Sequence, residues 1–436
     1  MADHARSDSL AVQAQLDRFA QLSPGRDILG LERITDLLSL LGKPHHNLPP
    51  VFHVAGTNGK GSTCAFLRAA VEGAGLSAHV YTSPHLVRFN ERIRVAGQLI
   101  ADDALAPLLA EVLDAAEAEQ LGPSFFEATT AAMFLAFSRT PADVAIVEVG
   151  LGGRLDATNV IAHPAVCGIA QLGVDHQAFL GDDPVTIAGE KAGIAKAGVP
   201  LVTMTYEANS ARRIAEIAAR AGADWRPKGG DWDAVTYQGQ LHYRDQVGRI
   251  STPLPRLAGD YQRENAALAI AMLRHQSAVT IPDAAIKAAI GWANWPARMQ
   301  KLAPGPLTAT LPEGSSLWLD GCHNPAGAEA AAHYVQQIIG EGKQLHIICG
   351  ILANKDAPGI LRPFLPLKPV FHPIMVPSHE CHAPEAIAAW AKREGLEAKP
   401  AASLTDALAR CKGTILLMGS LYIAAEALRL NKEVPV

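Results

Sequence analysis

Residues 53–63 read HVAGTNGKGST, a glycine-rich segment with one lysine. A short apolar run, Val51–Ala55, comes directly before the glycines, and residues 61–73 follow with a helical pattern. Glycines let backbone amides surround phosphate oxygens, and a helix N-terminus adds favourable partial charge. Lys60 supplies a cation for the β- and γ-phosphates of a nucleotide. The stretch therefore predicts a phosphate-binding loop between a strand and a helix.

This loop departs from the common GxxxxGK[ST] pattern. That spacing would require a glycine at Val54, and Gly61 follows Lys60 where a serine or threonine is usual. The alternative is a glycine-rich turn with no ligand. We favour a variant phosphate loop, because a strand precedes the glycines and a helix follows them.

Length and composition limit the class of protein. A chain of 436 residues predicts two or three domains, and 49% hydrophobic with 19% charged residues is typical of a globular protein. The net charge of -5 and the lack of like-charge blocks indicate no nucleic-acid partner. We expect no membrane span, because no apolar run reaches about 18 residues.

The cysteines and the first residues suggest a cellular compartment. The six cysteines have no CxxC spacing, so they indicate neither a zinc site nor a disulfide framework. Residues 1–18 carry charges of both signs without an apolar core, unlike a signal peptide. We therefore expect a cytoplasmic enzyme with reduced thiols, and a monomer because no coiled-coil pattern appears.

Alternating strand and helix patterns predict an α/β fold with a mostly parallel sheet. Strands are expected near residues 51–55, 78–82, 143–149, 166–172 and 199–203. Residues 234–250 alternate polar and apolar side chains around turn residues, which indicates a small antiparallel element. A hinge is expected at residues 292–296, followed by a second, Rossmann-like α/β unit.

Polar residues follow several predicted strands at the edge where α/β proteins bind ligands. Ser83 follows the second strand, Glu148 ends the third, and His176 follows the fourth. A buried carboxylate is costly unless it is paired or bound to a metal, although Glu148 alone is also compatible with an ordinary salt bridge or cap. His176 alone is compatible with a satisfied polar residue. The residues that flank Lys191 favour a solvated lysine paired with Glu190.

Longer motifs carry a family resemblance. They occur in the order HVAGTNGKGST, YTSPHL with RFNERI, FFEATTAA, VEVGLGGRLDATN, DHQAFLG, GEKAGI, PARMQ and LDGCHNP. This order resembles the dihydrofolate synthase/folylpolyglutamate synthase family, a branch of the ATP-dependent amide ligases that include the Mur ligases. The resemblance covers about residues 25–430. It implies a Mur-ligase-type, P-loop-type ATP-binding domain over residues 1–294 and a C-terminal glutamate ligase domain over residues 298–436.

The resemblance also implies roles for individual residues in binding ATP and in catalysis. Lys60, Lys191 and His323 are expected to act in catalysis. Asp320 is equally compatible with a cap for the helix that starts near Pro325. The residues expected to bind ATP are Gly56, Thr57, Asn58, Gly59, Lys60, Gly61, Ser62, Asn265, Arg298 and Asp320.

Two magnesium ions are implied as cofactors, together with a possible monovalent cation. Ser83 and Glu148 match ligands of the first magnesium, and His176 matches a ligand of a second that shares Glu148. Lys191 matches a carbamylated lysine. An ammonium would repel magnesium, whereas a carbamate is an oxygen anion that can bind it.

The loop at residues 151–159 is expected to cover a pterin ring. Phe126 would stack on that ring, or would belong to the core. Ser420 is a candidate contact for the incoming glutamate. The expected substrate-binding residues are Phe126, Arg154, Asp156, Ala157 and Ser420.

The implied reaction transfers the γ-phosphoryl group of ATP to a carboxylate of dihydropteroate or of a folate glutamate chain, and L-glutamate then attacks the acyl phosphate. Alternatives are a Mur-type ligase for nucleotide-linked peptides, a P-loop NTPase or kinase, and a non-catalytic nucleotide-binding module. The motifs GRLDATN and FFEATT favour the folate branch. The sequence leaves open whether the chain makes dihydrofolate, extends polyglutamate tails, or does both.

Overall fold

The structure, a computed structural model, describes residues 6–22, 29–175, 177–340 and 344–435. These residues form two compact units. The first extends to Arg256 and includes Gln262–Asn294, and the second comprises Leu257–Tyr261 and the chain from Trp295 onward. A five-residue segment ahead of the main boundary thus belongs with the C-terminal part of the chain.

The first unit is built on an eight-stranded sheet. Its strands are β1 (Val51–Ala55), β2 (Ala78–Tyr81), β3 (Ile93–Val95), β4 (Gln98–Leu99), β5 (Val144–Glu148), β6 (Val166–Ile169), β7 (Pro200–Thr203) and β8 (Asp224–Pro227). Their order is β4-β3-β2-β5-β1-β6-β7-β8. The pairs β4–β3 and β3–β2 are antiparallel, and the other five pairs are parallel. Strands β1 and β5 are buried along their whole length, as continuous apolar strands covered on both faces require.

The described helices of this unit are α1 (Leu10–Leu22), α2 (Glu32–Leu40), α3 (Lys60–Gly73), α4 (Asp102–Ala118), α5 (Phe125–Arg139), α6 (Gln177–Leu180), α7 (Pro184–Ala192), α8 (Ala208–Ala221), α9 (Tyr261–His275) and α10 (Asp283–Trp292). Helices α1, α2, α4 and α5 contribute to one apolar core, and α7 and α8 contribute to another. A capping box starts α5: the Glu127 amide donates to Ser124 Oγ, and the Ser124 amide donates to Glu127 Oε2.

A separate three-stranded antiparallel sheet consists of β9 (Trp232–Tyr237), β10 (Gln240–Asp245) and β11 (Arg249–Pro253), in the order β11-β10-β9. The rings of Trp232 and Tyr243 stack with centroids 5.8 Å apart on its buried face. The small antiparallel element predicted at residues 234–250 is therefore present.

The second unit has a five-stranded sheet flanked by helices. Its strands are β12 (Gln300–Lys301), β13 (Ser316–Leu319), β14 (Leu345–Cys349), β15 (Val370–Pro373) and β16 (Thr414–Met418), in the order β12-β13-β16-β14-β15. All pairs are parallel except β12 with β13. Its described helices are α11 (Pro325–Ile338), α12 (Ala357–Leu361), α13 (Pro384–Arg393), α14 (Leu404–Leu408) and α15 (Leu421–Leu430).

The predicted α/β class, with a mostly parallel sheet and a second α/β unit, is confirmed. Helix α7 ends at Ala192, and Gly193 follows it as a turn residue. All six cysteines are free thiols. Over the described ranges, the helices are too short or too polar to cross a bilayer.

Candidate active site

The loop between β1 and α3 depends on two glycines. Gly56 has φ +148° and Gly59 has φ +85°, values that residues with a Cβ rarely adopt. A Cβ on Gly56 would lie 2.8 Å from Ala170 Cβ, and one on Gly59 would collide with the Asn265 side chain. Both the backbone conformation and the neighbouring atoms therefore require glycine at these positions.

The first residues of the loop are held by the segment that follows β6. The Thr57 and Asn58 amides donate to the Gln171 carbonyl at 2.8 and 3.2 Å, and Thr57 Oγ1 donates to the Gly173 carbonyl at 2.8 Å. The loop then turns into α3, whose first amides have no carbonyl partner within the helix. This is the arrangement of an anion site at a helix N-terminus.

Two lysines converge on one carbonyl of this loop. Lys60 Nζ donates to the Gly56 carbonyl at 2.9 Å and to the Thr57 carbonyl at 3.2 Å. Lys191 Nζ donates to the same Gly56 carbonyl at 3.0 Å. The structure thus brings together two residues that lie on different helices, α3 and α7.

Lys191 is not a solvated lysine. It is 4% exposed, and Glu190 pairs with Arg154 instead. Burial and the neighbouring Lys60 charge lower the pKa of Lys191 to about 7, while Asp175 and Asp156 act in the opposite direction. The interpretation that local sequence favoured, a solvated pair with Glu190, is therefore wrong.

Oxygen donors lie at the ends of the strands beside β1. Glu148 is the last residue of β5 and is 5% exposed. Ser83 follows β2, which pairs with β5, and the Ser83 amide donates to Glu148 Oε2 at 3.3 Å. Glu148 and Ser83 therefore meet at the strand ends next to the glycine loop. His176 lies outside the described residues.

This donor set fits magnesium. A buried carboxylate and a serine hydroxyl are oxygen ligands of the kind that magnesium prefers. Asp175, 9% exposed, adds negative charge that acts on Lys191. Lys60 and Lys191 are the opposing cations, so a second divalent ion would fit beside Lys191 only after its ammonium charge is lost.

The loop after β5 is organised by Asp156. This carboxylate is 3% exposed and accepts from the Leu151 amide at 2.7 Å, the Thr158 amide at 3.0 Å and Thr158 Oγ1 at 2.5 Å. Burial raises its pKa, and the hydrogen bonds from Thr158 and Leu151 oppose that rise. It caps the short 3-10 turn Ala157–Val160, in which the Ala157 side chain is buried.

His53 connects this loop to β1, and the sequence analysis did not identify it as a site residue. His53 Nε2 lies 2.8 Å from Thr158 Oγ1, which itself donates to Asp156. His53 is fully buried, and burial lowers its pKa to about 3, so its ring is neutral. Since Thr158 Oγ1 donates to Asp156, the hydrogen-bond network assigns His53 Nε2 as a donor.

Phe126 and Arg154 border the same loop. The Phe126 ring lies against Gly150, where a Cβ would collide with it, and its centroid is 6.0 Å from the Tyr81 ring. The ring is half-buried against the core of α1, α2, α4 and α5. The Arg154 side chain is 56% exposed and pairs with Glu190 at 2.9 Å. Both residues therefore present part of their side chains to solvent.

Asn265 on α9 completes the surroundings of the loop. It is 3% exposed, its side chain lies against Gly59, and its Nδ2 donates to Gln262 Oε1 at 3.0 Å. The residues that the structure places around the glycine loop are Lys60, Ser83, Glu148, Lys191 and Asn265.

In the second unit, Asp320 fixes the turn that carries Arg298. Asp320 Oδ2 accepts from the Met299 amide and Oδ1 from the Cys322 amide, both at 2.8 Å. Burial raises the pKa of Asp320, and the Arg298 charge opposes that rise. Ala297 and Met299 have φ +54° and +42°, so Arg298 lies between two residues in a strained conformation.

His323 and Ser420 also belong to the second unit. His323 Nδ1 lies 2.8 Å from the Gly321 carbonyl. Ser420 is 2% exposed and caps α15 by accepting from the Tyr422 amide at 3.0 Å. The alternative role of Asp320 as the cap of α11 is wrong, because Asn324 caps that helix through a bond from the Gly327 amide.

Comparisons with known proteins show which family the chain belongs to. No protein-family model matches the chain. Folylpolyglutamate synthase from Lacticaseibacillus casei is 34% identical over 412 residues, which cover 90% of this chain and 92% of that protein.

Solved structures show the same architecture. Escherichia coli FolC in complex with DHPP and ADP superimposes with a TM-score of 0.86 at 30% identity, covering 97% of this chain and 98% of that chain. A bifunctional folylpolyglutamate synthase/dihydrofolate synthase with Mn, AMPPNP and L-glutamate bound gives a TM-score of 0.84 at 27% identity, over 97% and 99% of the two chains. The chain belongs to the dihydrofolate synthase/folylpolyglutamate synthase family.

Proposed function

We propose that this chain is an ATP-dependent ligase that joins L-glutamate, through an amide bond, to dihydropteroate, to a folate glutamate chain, or to both. The observation that carries the proposal is the convergence of Lys60 and Lys191 on the Gly56 carbonyl, beside the Glu148 carboxylate. Relatives of similar length that are folylpolyglutamate synthases support it. One similar structure was solved with Mn, AMPPNP and L-glutamate bound, and the proposed reaction uses the same classes of ligand.

ATP would occupy the glycine loop of the first unit. The amides at the start of α3 and the Lys60 ammonium would hold its phosphates, and Asn265 would contact the nucleotide beside Gly59. We assign ATP contacts to Arg298 and Asp320 as well, and a catalytic role to His323. Support for Arg298 comes from its strained turn, since such conformations cluster at functional sites.

Magnesium would be held by Ser83, Glu148 and His176, and by a carbamate on Lys191. When bound, the metal neutralises charge on the transferring phosphoryl group. The role of His176 rests on its motif, since the residue lies outside the described ranges. A monovalent cation, a monomeric state and a cytoplasmic location are further parts of the proposal.

Carbamylation of Lys191 is supported by the position of its amine. The side chain is 4% exposed and shares one carbonyl with Lys60, an arrangement that disfavours two ammonium ions. The neutral amine can attack carbon dioxide, forming a nitrogen–carbon bond and losing a proton. The product is an anion, which relieves the repulsion by Lys60 and adds two oxygen ligands.

The reaction proceeds in two steps. A carboxylate oxygen of the folate substrate attacks the γ-phosphorus of ATP, the bond to the bridging oxygen breaks, and ADP leaves. The amine of L-glutamate then attacks the acyl carbon, loses a proton, and expels phosphate. Lys60 stabilises the charge on the transferring group, and exclusion of water protects the acyl phosphate from hydrolysis.

The loop at residues 151–159 would bind the pterin. Asp156 shapes this loop through its three hydrogen bonds, with Ala157 in the turn that it caps. The half-exposed ring of Phe126 is available for stacking, and Arg154 offers a partly exposed guanidinium. Ser420 is proposed to contact glutamate.

The substrate assignment is tested by the product. The chain is incubated with ATP, Mg²⁺, L-glutamate and either dihydropteroate or tetrahydrofolate, and phosphate release and product mass are measured. We expect release that requires both glutamate and a folate acceptor, with a product one glutamyl residue heavier. Phosphate release without an amide product would favour the NTPase or kinase alternative, and turnover only with a UDP-linked peptide would favour a Mur-type ligase.

Lys60→Ala should lower kcat by at least about 100-fold, because it removes a cation that acts on the charge of the transferring phosphoryl group. The exposed Lys287 on α10 provides a matched control, and Lys287→Ala should retain kcat. The kcat of each variant is obtained from the steady-state rate of phosphate release. Turnover close to that of the unmodified chain in Lys60→Ala would contradict the assignment of the phosphate loop.

Carbamylation of Lys191 can be observed directly. With ¹³C-bicarbonate, the unmodified protein should show a carbamate carbon resonance in its NMR spectrum, and Lys191→Ala should lack both the resonance and ligase activity. Lys196→Ala is the control, because burial also lowers the pKa of Lys196, which donates to the Asn159 carbonyl at 3.2 Å. A spectrum without the resonance, or a resonance lost only in Lys196→Ala, would refute a carbamate at Lys191.

A further inference from the structure

Two histidines and a cysteine form a cluster in the second unit that takes no part in the reaction above. His346 lies on β14, His372 on β15, and Cys411 between α14 and β16. One potential ligand atom from each residue lies within 4.8 Å of those of the other two. Within the described ranges this is the one group of three such side chains that meets this distance.

Strand pairing sets the positions of these residues. Strands β14 and β15 pair in parallel with His346 opposite Val370 and Ile348 opposite His372, so the two histidines lie on one face of the sheet, two positions apart. His346 Nδ1 and His372 Nε2 are 2.9 Å apart. Strand β16 pairs with the other edge of β14, which brings Cys411 to the same end of the sheet.

The cluster is buried and one of its nitrogen atoms has no partner. His372 is fully buried, Cys411 is 2% exposed and His346 is 9% exposed. His372 Nδ1 makes no hydrogen bond. A buried polar atom without a partner costs free energy, and in native structures such an atom calls for an explanation such as an ion. The hydrogen bond between the two rings satisfies only one nitrogen of each.

Burial shifts the pKa of each of the three residues. Burial lowers the pKa of His346, and it lowers that of His372 to about 4, so both imidazoles are neutral near pH 7. Burial raises the pKa of Cys411 to about 12, and its Sγ donates to the Ala407 carbonyl at 3.1 Å. A metal that binds this thiol would displace its proton, as happens at zinc-thiolate sites.

The charges around the cluster balance one another. Lys399 and Arg410 are the neighbouring cations, and both lower the pKa of His372. Lys399 pairs with Glu397 at 2.7 Å, and Arg410 pairs with Asp406 at 2.7 Å. Each cation therefore has its own carboxylate, and the environment does not present an unbalanced positive charge to an incoming ion.

We propose that His346, His372 and Cys411 bind one zinc ion, with a water molecule as the fourth ligand. Two imidazoles and a thiolate match the nitrogen and sulfur ligands of zinc, and they do not suit magnesium, which prefers oxygen. The ion would tie β14 and β15 to the segment that precedes β16. Its role is to stabilise the second unit, and it is independent of the ligase chemistry.

The test uses cobalt as a spectroscopic probe of zinc. The full chain is freed of metal by chelation, saturated with Mg²⁺, and titrated with Co²⁺. We expect one Co²⁺ bound with a thiolate-to-cobalt charge-transfer band in the near ultraviolet, which added Zn²⁺ removes. A cobalt ion on oxygen ligands alone would not produce this band.

Variants assign the ligands. Cys411→Ser should lose the charge-transfer band, and His346→Gln and His372→Gln should weaken Co²⁺ binding at least about 10-fold. Cys381→Ser and His333→Gln are matched controls from the same unit and should behave like the unmodified chain. Far-ultraviolet circular dichroism confirms that each variant is folded, and Zn²⁺ should raise the melting temperature of the unmodified chain but not that of Cys411→Ser.

Two results would overturn the proposal. One is a chain that, freed of metal, shows no thiolate band at saturating Co²⁺ and no change of melting temperature with Zn²⁺. The other is a band that persists in folded Cys411→Ser or disappears in Cys381→Ser. Either would leave the two histidines as a hydrogen-bonded pair within the core.

Discussion

The site depends on one electrostatic constraint: the Gly56 carbonyl accepts hydrogen bonds from both Lys60 and Lys191. Burial, together with repulsion by the neighbouring Lys60 charge, lowers the pKa of Lys191 to about 7. The two amines are stabilised when an anion binds beside them, or when one of them is converted into an anionic group. A triphosphate supplies the first, and a carbamate supplies the second. Position 56 requires glycine, because its φ of +148° and the contact with Ala170 leave no room for a Cβ.

The chemistry of the glycine loop could be predicted from sequence because its signals are local. A strand, a run of glycines and a helix start follow one another within residues 51–63. Glu148 ends β5 and Ser83 follows β2, and the parallel pairing of these strands places both residues at one edge of the sheet. Lys191 could not be predicted locally. Its burial results from contact with a carbonyl 135 residues earlier in the chain, and its flanking residues favour a solvated pair with Glu190.

Other features depend on contacts between distant parts of the chain. His53 supports the loop of Asp156 through Thr158, 105 residues later, so no motif indicates that role. The proposed zinc ligands are spaced by 26 and 39 residues and lie on different elements. A search for CxxC spacing therefore could not find them. Helices α1, α2 and α8 contain no glycine and no catalytic motif. The structure shows that each of them packs into an apolar core. The fold class followed from periodicity, whereas long-range packing decided the remaining details.

This electrostatic arrangement is proposed to transfer a phosphoryl group from ATP to a carboxylate. The transfer can be followed with a folate or dihydropteroate substrate whose carboxylate oxygens are labelled with ¹⁸O. After turnover with ATP and L-glutamate, we expect one ¹⁸O atom in the released phosphate, because the carboxylate oxygen bonds to phosphorus before the amide forms. Phosphate without ¹⁸O, released together with an amide product, would contradict it.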